Sequence, residues 1–443
     1  MIPLVSADVM RECDADAVAR WGVDALVSAA GHAVAHEVHR MLGSLYGRRV
    51  AVVVGPGLNG ADGVVCARVL RSRGSRVDVV RVDQQPSQLE GYALVVDAAF
   101  GLGCSRPYEF PRLAPGTRVL AVDLPSGVDA DSGAVLGAPA RADVTLAIGA
   151  LKYAHLDGAA ADFCGELRVA NLGIEVPLTH ALVTDEDLAG YVASHPDDHK
   201  WSHAVSVFAG STLMPGAAAL LCAGALAGGA SMVQLESRGD VAKRTTLPPE
   251  VVCVKGSAPD PRSRCVVAGP GLGPDAQDWL IKRVTGFDTA MILDADALTG
   301  EILDATAQAP RVITPHLGEF HRLGGQVHDQ RRIDAVRHLA ARSQCVVLLK
   351  GRRTIIAAPS GETRVVNSGT ANLATAGSGD VLTGMIAGAV ARGHGLVDAA
   401  ALSAHLHGRA GRELGPYEGA SELSGAVRRI LDAGSAVVTS RQK

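Results

Sequence analysis

The chain has 443 residues, of which 47% are hydrophobic and 20% charged, and its formal net charge is −4. This length predicts two domains, and the slight negative charge argues against nucleic acid or an anionic membrane as a partner. The eight cysteines show no paired spacing. That pattern argues against a disulfide framework and a structural zinc site and predicts a cytoplasmic protein.

The first half alternates helical and strand patterns. Residues 6–42 have helical periodicity, with Gly22 and Gly31 as the predicted breaks. Short runs rich in Val and Ile follow, and they predict a parallel sheet covered on both faces. These predicted strands are residues 50–54, 77–82, 94–96, 119–122 and 144–148.

The composition changes in the polar, acidic stretch of residues 184–200, so we divide the chain into domains 1–183 and 184–443. Residues 204–235 contain no charge and are long enough to span a bilayer. Glycines and a proline divide this segment, which favours strand 204–209, buried helix 216–227 and strand 231–235.

The second half continues the alternation, and no internal repeat relates it to the first. Two different α/β domains are therefore predicted. The further strands expected are residues 266–268, 291–293, 312–314 and 346–349, and the closing helices are 379–391, 398–412 and 421–434.

The segment GPGLNGADG (residues 55–63) joins the predicted strand 50–54 to a helix. Glycines at the carboxyl end of a strand let backbone amides approach an anion, but this loop lacks the dinucleotide and P-loop spacings. Alone, it fits a plain tight turn equally well.

Two later strand ends, VVDAAFGLGCSRP (95–107) and AVDLPSGVDADSG (121–133), each place an Asp before a glycine turn. Asp97 and Asp123 are expected to face the same crevice as Asn59, because the carboxyl ends of parallel strands share one edge. Oxygen donors of this kind suit K⁺ or Mg²⁺ rather than zinc. The alternative is that both carboxylates only cap the turns that follow them.

These three segments resemble the NAD(P)H-hydrate epimerase family, whose pattern is G-x-G-N-N-G-G-D-G, D-x-x-x-G-x-G and D-x-P-S-G-x-x-x-D-[TS]-G. The resemblance covers about residues 5–180. It implies a Rossmann-like three-layer domain that interconverts the R and S hydrates of NADH and NADPH (NADHX and NADPHX). Leu58 stands where the family has Asn, and Ala61 where it has Gly.

The same resemblance implies K⁺ bound by Asn59, Asp97 and Ser126, and Asp123 as the acid/base. The implied substrate contacts are Leu58, Asn59, Gly60, Ala61, Asp62, Gly101, Leu102, Gly103, Cys104, Ser105, Arg106 and Pro107. Activity is expected because Asn59, Asp62 and Asp123 remain.

The segment NLATAGSGDVLTGMIAGAVARG (372–393) places Gly377, Ser378, Gly379 and Asp380 before a predicted helix. Successive amides at a helix start form an anion hole, where a carboxylate repels phosphate unless it has a chemical task. The task that fits Asp380 is that of a general base in phosphoryl transfer. The alternative, an N-cap, explains the Asp but not the small residues beside it.

This start resembles the ribokinase superfamily, and seven motifs in order over residues 200–440 resemble its NAD(P)H-hydrate dehydratases. They are FAGSTLMPGAAALL, VVAGPGLG, ILDADAL, ITPHLGEF, VLLKGRRTII, VNSGTANLATAGSGDVLTG and HLHGRAG. The resemblance implies a ribokinase-like α/β domain that phosphorylates the hydrate's hydroxyl from ADP or ATP with Mg²⁺ and then expels phosphate. Leu317 replaces the usual Pro, and Ala376 a frequent Gly.

In that family pattern Asp380 is the base, and Ala217, Gly273 and His316 contact the hydrate. The implied nucleotide contacts are Lys350, Gly351, Arg352, Arg353, Thr354, Gly377, Ser378 and Gly379. Asp294 or Asp296 is a candidate for water-bound Mg²⁺. The alternatives are a solvated turn lysine for Lys350 and a structural histidine for His316.

Together the two resemblances predict a bifunctional isomerase and lyase that repairs NADHX and NADPHX. Its expected partners are these substrates and ADP or ATP, with no nucleic acid and no membrane, and we expect a homo-oligomer. One alternative is a hydroxymethylpyrimidine- or hydroxyethylthiazole-type kinase with an α/β regulatory or scaffolding domain. Another is that the N-terminal half only senses a ligand.

Overall fold

The computed structural model describes residues 1–191, 198–256, 258–327, 331–415 and 417–441. The chain forms two compact units, Ile2–His180 (the N-terminal unit) and Ala181–Lys443 with Met1 (the C-terminal unit). The division falls a few residues before the boundary expected after residue 183, because the Val183 amide already donates to Val365 of the second unit. Of the predicted boundary segment, residues 192–197 lie outside the described residues.

The N-terminal unit is built on a six-stranded sheet in the order β12-β10-β8-β5-β2-β3. Every neighbouring pair in this sheet is parallel, which confirms the parallel sheet predicted from the Val- and Ile-rich runs. The elements are β1 (Ile2–Val5), α1 (Ala7–Trp21), α2 (Val23–Leu42), β2 (Arg49–Val54), α3 (Leu58–Ser72), β3 (Arg76–Arg81), β4 (Gln88–Leu89), β5 (Leu94–Ala98), β6 (Tyr108–Glu109), β7 (Arg112–Leu113), β8 (Arg118–Val122), β9 (Gly137–Ala138), β10 (Val144–Ile148), β11 (Leu151–Lys152) and β12 (Glu166–Ala170).

Both faces of this sheet are buried, which is why its strands read as continuous apolar runs. One face packs on α2 and α3 through side chains such as Val52 and Val96. The opposite face packs on Tyr108 and Phe110 near the short strands β4, β6 and β7. Short strands and loops, rather than long helices, therefore form the third layer.

The helix break predicted at Gly22 is confirmed, because α1 ends there with φ +83° and α2 starts at the next residue. The break predicted at Gly31 is wrong, because α2 continues through it. A Cβ at Gly31 would lie 2.4 Å from the Cβ of Val65. This glycine lets α2 pack closely on α3 instead of ending a helix.

The C-terminal unit has the strand order β13-β22-β21-β20-β19-β18-β17-β14-β15-β16. The pairs β20–β21 and β21–β22 are antiparallel, and the pairs from β20 to β16 are parallel. The elements are β13 (His180–Leu182), β14 (Ala204–Ser211), α4 (Pro215–Ala227), β15 (Met232–Arg238), β16 (Val251–Cys253), β17 (Cys265–Ala268), α5 (Gln277–Val284), β18 (Met291–Leu293), α6 (Gly300–Ala305), β19 (Arg311–Ile313), α7 (Leu317–Arg322), α8 (Arg332–Ser343), β20 (Val346–Leu349), β21 (Thr354–Ala357), β22 (Thr363–Val366), α9 (Ser378–Ala391), α10 (Leu396–Glu413) and α11 (Leu423–Arg441).

The uncharged segment 204–235 forms β14, α4 and the first part of β15, as its glycine pattern predicts. Its apolar side chains, such as Val205 and Leu221, belong to the core of the C-terminal unit. Among the helices that the structure describes, none is long and apolar enough to cross a membrane.

Helices α4 and α9 pack closely through glycines spaced four residues apart on each helix. A Cβ at Gly224 would lie 2.2 Å from the carbonyl oxygen of Val381, and one at Gly384 would lie 2.1 Å from that of Leu221. The next turn repeats the pattern, since a Cβ at Gly228 would lie 2.4 Å from Met385 O and one at Gly388 2.5 Å from Ala225 O. These contacts fix the start of α9 against α4.

Replacing Gly224 by Ala should destabilise the chain, because the new methyl group meets backbone that cannot move aside. Overpacking of this kind costs about 1–3 kcal/mol. Urea unfolding followed by circular dichroism measures the loss.

The matched control is Gly216→Ala in the same helix, where a Cβ has no neighbour within 4 Å. It should leave stability unchanged or raise it by up to about 1 kcal/mol. Equal midpoints for the two variants would contradict the packing argument.

Two candidate active sites

The N-terminal unit has a cavity of about 530 Å³ at the carboxyl ends of its parallel strands. Asn59 and Asp62 come from the start of α3, Gly101 from the loop after β5, and Asp123 from the end of β8. Apolar side chains of α1 and α2, such as Val18 and Leu26, form the opposite wall. The structure therefore brings the three glycine-turn segments to one crevice.

Asp123 is the most tightly held side chain in this N-terminal cavity. Its φ of +66° is rare for a residue with a side chain. Its Oδ2 accepts from the Leu102 amide at 3.1 Å, and its Oδ1 accepts from the Ile148 amide at 3.3 Å and from Lys152 Nζ at 2.5 Å. The carboxylate is fixed in position at the cavity floor.

Lys152 and His155 were not among the residues expected in the site. The Lys152 side chain is 1% exposed and its ammonium also donates to the Ile148 carbonyl at 2.7 Å. His155 Nε2 donates to the Asp123 carbonyl at 2.7 Å, and burial lowers the pKa of His155 to about 4, so the ring is neutral. A lysine inside the apolar run TLAIGALKYAHL was the available sequence signal.

Asp97 and Ser126 lie together beneath the loop after β5. Asp97 Oδ1 accepts from the Ser126 hydroxyl at 2.5 Å, and Oδ2 accepts from the Ser126 amide at 2.8 Å. Burial raises the pKa of Asp97 to about 6, and no cationic side chain among the described residues pairs with it. Asn59 Nδ2 is buried without a hydrogen-bond partner. A buried carboxylate with no counter-charge fits a bound cation.

The other expected substrate contacts are divided between the cavity wall and its surroundings. Leu58, Leu102 and Gly103 also line the cavity. Leu58, where the family has Asn, is 61% exposed. The remaining expected contacts are not part of the cavity lining: Gly60, Ala61, Cys104, Ser105, Arg106 and Pro107.

The C-terminal unit places its candidate base in the first turn of α9. Gly377 is the N-cap, with φ +89° and no side-chain cap, so Asp380 is the third residue of the helix. The alternative in which Asp380 is the N-cap is therefore wrong. Burial, followed by the charge of Asp294, raises the pKa of Asp380 to about 7, while Lys350 opposes this shift.

Lys350 lies beside the start of α9. Its ammonium is 2.8 Å from Asp294 Oδ1, and Asp294 Oδ2 accepts from the Thr383 hydroxyl of α9 at 2.8 Å. A Cβ at Gly379 would lie 3.6 Å from Lys350 Nζ. The alternative of a solvated turn lysine is wrong, because this side chain is 23% exposed and ion-paired.

The expected hydrate contacts lie on two neighbouring loops and the start of α4. A Cβ at Gly271 would lie 2.6 Å from the Cβ of Ala217, so the turn of the VVAGPGLG segment packs on α4. The Gly273 amide donates to Asp296 Oδ2 at 2.8 Å. His316 Nδ1 accepts from the Gly318 amide at 3.0 Å and caps α7, and its side chain is 59% exposed. His316 thus has a structural role in the helix start.

Comparisons with known proteins cover both units. Residues 205–431 match the NAD(P)H-hydrate dehydratase family, and residues 23–91 and 80–154 match the YjeF-related protein N-terminus family. A bifunctional NAD(P)H-hydrate repair enzyme Nnr of Mycobacterium tuberculosis is 35% identical over 429 residues, 88% of this chain and 89% of that protein. The Thermofilum pendens protein of the same name is 33% identical, covering 90% and 89%. The chain belongs to the bifunctional NAD(P)H-hydrate repair enzyme family.

The family predicted from the motifs is thus confirmed, and solved structures support the ribokinase-like fold of the C-terminal unit. The Bacillus subtilis ADP/ATP-dependent NAD(P)H-hydrate dehydratase, co-crystallised with ATP and Mg²⁺, is 28% identical with a TM-score of 0.51. It covers 57% of this chain, and 97% of its own length is matched. A ribokinase-like protein of Enterococcus faecalis, 22% identical with a TM-score of 0.51, supports the fold alone.

Asp380→Asn should stabilise this repair enzyme at high pH. The pKa of Asp380 is raised above its unfolded value, so ionisation of the folded form costs free energy, increasingly from about pH 4 to pH 7. Removing the charge should raise the free energy of unfolding by on the order of 1 kcal/mol or more. Each kcal/mol corresponds to roughly 2–4 °C in Tm. The gain should be larger at pH 8 than at pH 5. Thermal unfolding at both pH values measures it.

Asp304→Asn, at an exposed carboxylate of α6, should leave Tm unchanged at both pH values. A lower Tm for Asp380→Asn at pH 8 would contradict the burial of its charge.

Proposed function

We propose that domain 1–183 interconverts the R and S forms of NADHX and NADPHX, and that domain 184–443 dehydrates the S form with ADP or ATP. The membership of the family supports the two activities. The observation that carries the assignment to residues is the partly buried Asp380 at the amide-rich start of α9, beside the Lys350–Asp294 pair. Few structural roles require an unpaired carboxylate at a helix start shaped for phosphate.

In the dehydratase site, Asp380 takes the proton of the substrate hydroxyl while the hydroxyl oxygen attacks the terminal phosphorus of the nucleotide. With ADP, the leaving group is AMP. The ring nitrogen lone pair then breaks the carbon–oxygen bond and releases phosphate, which leaves an iminium ion. Loss of a proton from the adjacent ring carbon to water or phosphate restores the dihydronicotinamide. Phosphate replaces hydroxide as the leaving group, and this is what the nucleotide contributes.

The remaining C-terminal residues orient the reactants. Lys350 and the segment Gly377, Ser378 and Gly379 hold the nucleotide phosphates, and Gly351–Thr354 extend this contact. Ala217, Gly273 and His316 contact the hydrate from the facing loops. Asp294 or Asp296 would hold Mg²⁺ through water, and the ion would offset phosphate charge.

In the epimerase site, Asp123 exchanges a proton with the substrate. Residues of the segments 58–62 and 101–107 contact the same substrate. Asn59, Asp97 and Ser126 would hold K⁺, which would supply positive charge beneath the loops. The buried carboxylate of Asp97, which pairs with no cationic side chain among the described residues, supports this site.

The kinase alternative is not favoured, because relatives that match both halves of the chain are repair enzymes. A kinase would accumulate a stable phosphorylated product, whereas a dehydratase returns the absorbance of reduced nicotinamide. A cytoplasmic location and a homo-oligomeric state remain predictions.

Single substitutions should separate the two activities. Asp380→Asn keeps the size of the side chain but removes the base, so dehydration of S-hydrate should fall about 10²–10⁴-fold. Asp123→Asn should leave that reaction intact and slow the consumption of added R-hydrate to its spontaneous rate. Mixed R- and S-NADHX with ADP, Mg²⁺ and K⁺, followed by reduced-nicotinamide absorbance, measures both.

Loss of both reactions in Asp380→Asn, or unchanged R-hydrate consumption in Asp123→Asn, would show that the assignment of one reaction to each domain is wrong.

Epimerisation should depend on K⁺. Replacing K⁺ by Na⁺ or Li⁺ should slow R-to-S conversion or raise its KM, because Asn59, Asp97 and Ser126 offer hard oxygen donors whose arrangement suits one ion size. The control is the rate at which the wild-type chain dehydrates S-hydrate in each of the three cations. It separates a specific effect on epimerisation from a general effect of the salt. Equal epimerisation rates in the three cations would refute the K⁺ site.

A further inference from the structure

The N-terminal cavity contains a second carboxyl group whose surroundings differ from those of Asp123. Asp62, in the second turn of α3, is 7% exposed and lines the cavity. Its carboxyl group has no hydrogen bond or ion pair with any residue that the structure describes. Asp123, in contrast, accepts from two amides and an ammonium.

The surroundings of Asp62 also change its acidity. Burial, and then the charges of Asp123 and Asp14, raise the pKa of Asp62 to about 8. Asp62 therefore carries a proton at neutral pH and has no protein acceptor for it. A pair of carboxyl groups whose environments favour opposite states is a common acid/base arrangement.

The charged groups around the cavity are consistent with this arrangement. Arg11 and Asp14 line it from α1, and Lys152 faces it from β11. The Lys152 ammonium donates to Asp123 and to the Ile148 carbonyl, and the Arg11 guanidinium is paired with Asp8. Neither of these two cations is therefore paired with Asp62. Apolar side chains such as Val18 and Leu26 complete the wall.

Epimerisation of a hydrate needs both functions at once. The hydroxyl-bearing carbon is bonded to the ring nitrogen, so it is a carbinolamine carbon, and such a centre inverts by ring opening to a carbonyl. Opening requires removal of the hydroxyl proton and delivery of a proton to the nitrogen. A single carboxylate performs only one of these transfers at a time.

We propose that Asp62 is the proton donor of the epimerase site and that Asp123, positioned by Lys152, is its base. Asp123 takes the hydroxyl proton, the carbon–oxygen bond becomes a carbonyl, and the carbon–nitrogen bond breaks. Its electron pair goes to the ring nitrogen, which takes the proton of Asp62. Rotation of the carbonyl and the reverse transfers close the ring with the opposite configuration and restore both carboxyl groups.

The inference rests on the proposed epimerase role of this unit and goes beyond the substrate contact implied for Asp62. It is tested with the full chain and purified R-NADHX without nucleotide, and R-to-S conversion is followed by chromatography at fixed K⁺. In Asp62→Asn, kcat should fall about 10²–10⁴-fold with KM nearly unchanged. Asp62→Glu should recover part of the rate, because it restores a carboxyl proton.

The pH profile distinguishes proton donation from a structural role. Wild-type epimerisation should fall as pH rises through about 8, where Asp62 loses its proton, and the residual rate of Asp62→Asn should lack this decline. Asp16→Asn, at an exposed carboxylate of α1 outside the cavity lining, should behave as wild type. Dehydration of S-hydrate should be unchanged in every variant.

A wild-type kcat in Asp62→Asn, or a raised KM with unchanged kcat, would overturn the proposal, because Asp62 would then be a binding contact only. Loss of kcat in Asp14→Asn but not in Asp62→Asn would also overturn it, since the donor would be Asp14. A wild-type chain that does not epimerise R-NADHX at all would instead refute the proposed epimerase function, and this inference with it.

Discussion

Parallel pairing of the strands is the constraint on which both candidate sites depend. It places the carboxyl ends of neighbouring strands at one edge, so loops far apart in the chain meet there. In the N-terminal unit, the loops after β2, β5 and β8 bring Asn59, Gly101 and Asp123 to one cavity. In the C-terminal unit, β18 and β20 deliver Asp294 and Lys350 to each other.

Close helix packing adds the second element of the C-terminal site. Strand ends alone do not determine where a helix begins, but the contacts of Gly224 and Gly384 hold α9 against α4. The first turn of α9 then lies beside Lys350, since a Cβ at Gly379 would be 3.6 Å from its ammonium. Glycine serves two purposes here: small size between the helices, and the left-handed backbone of Gly377 at the cap.

Desolvation produces the reactive groups in both units. Burial is the largest cause of the raised pKa of Asp62 and of Asp380. Each ionised carboxylate would be more stable in water, so the fold gives up stability to keep it in place. Asp123 has different surroundings, because its carboxyl group accepts hydrogen bonds from an ammonium and two amides. The contrast gives carboxyl groups of one chemical type different tasks.

Much of the fold could be predicted because its signals are local. The run Val144–Ile148 appears as β10, and α9 starts one residue before its predicted position. The prediction of a break at Gly31 was wrong for a non-local reason. A side chain at this position would collide with Val65 of another helix, so the glycine serves packing between helices. Lys152 was missed because its partner Asp123 lies on another strand and no local pattern joins them.

The sequence by itself determined the two-domain α/β organisation, the strand positions and the family, because apolar runs and glycine motifs are properties of contiguous residues. Only the tertiary structure decided which carboxyl groups are buried, which are paired, and which face a cavity. Asp62, Asp123 and Lys152 are ordinary side chains in the sequence. The raised pKa of Asp62 depends on desolvation and on charges from distant segments, and both arise only when the fold brings those segments together.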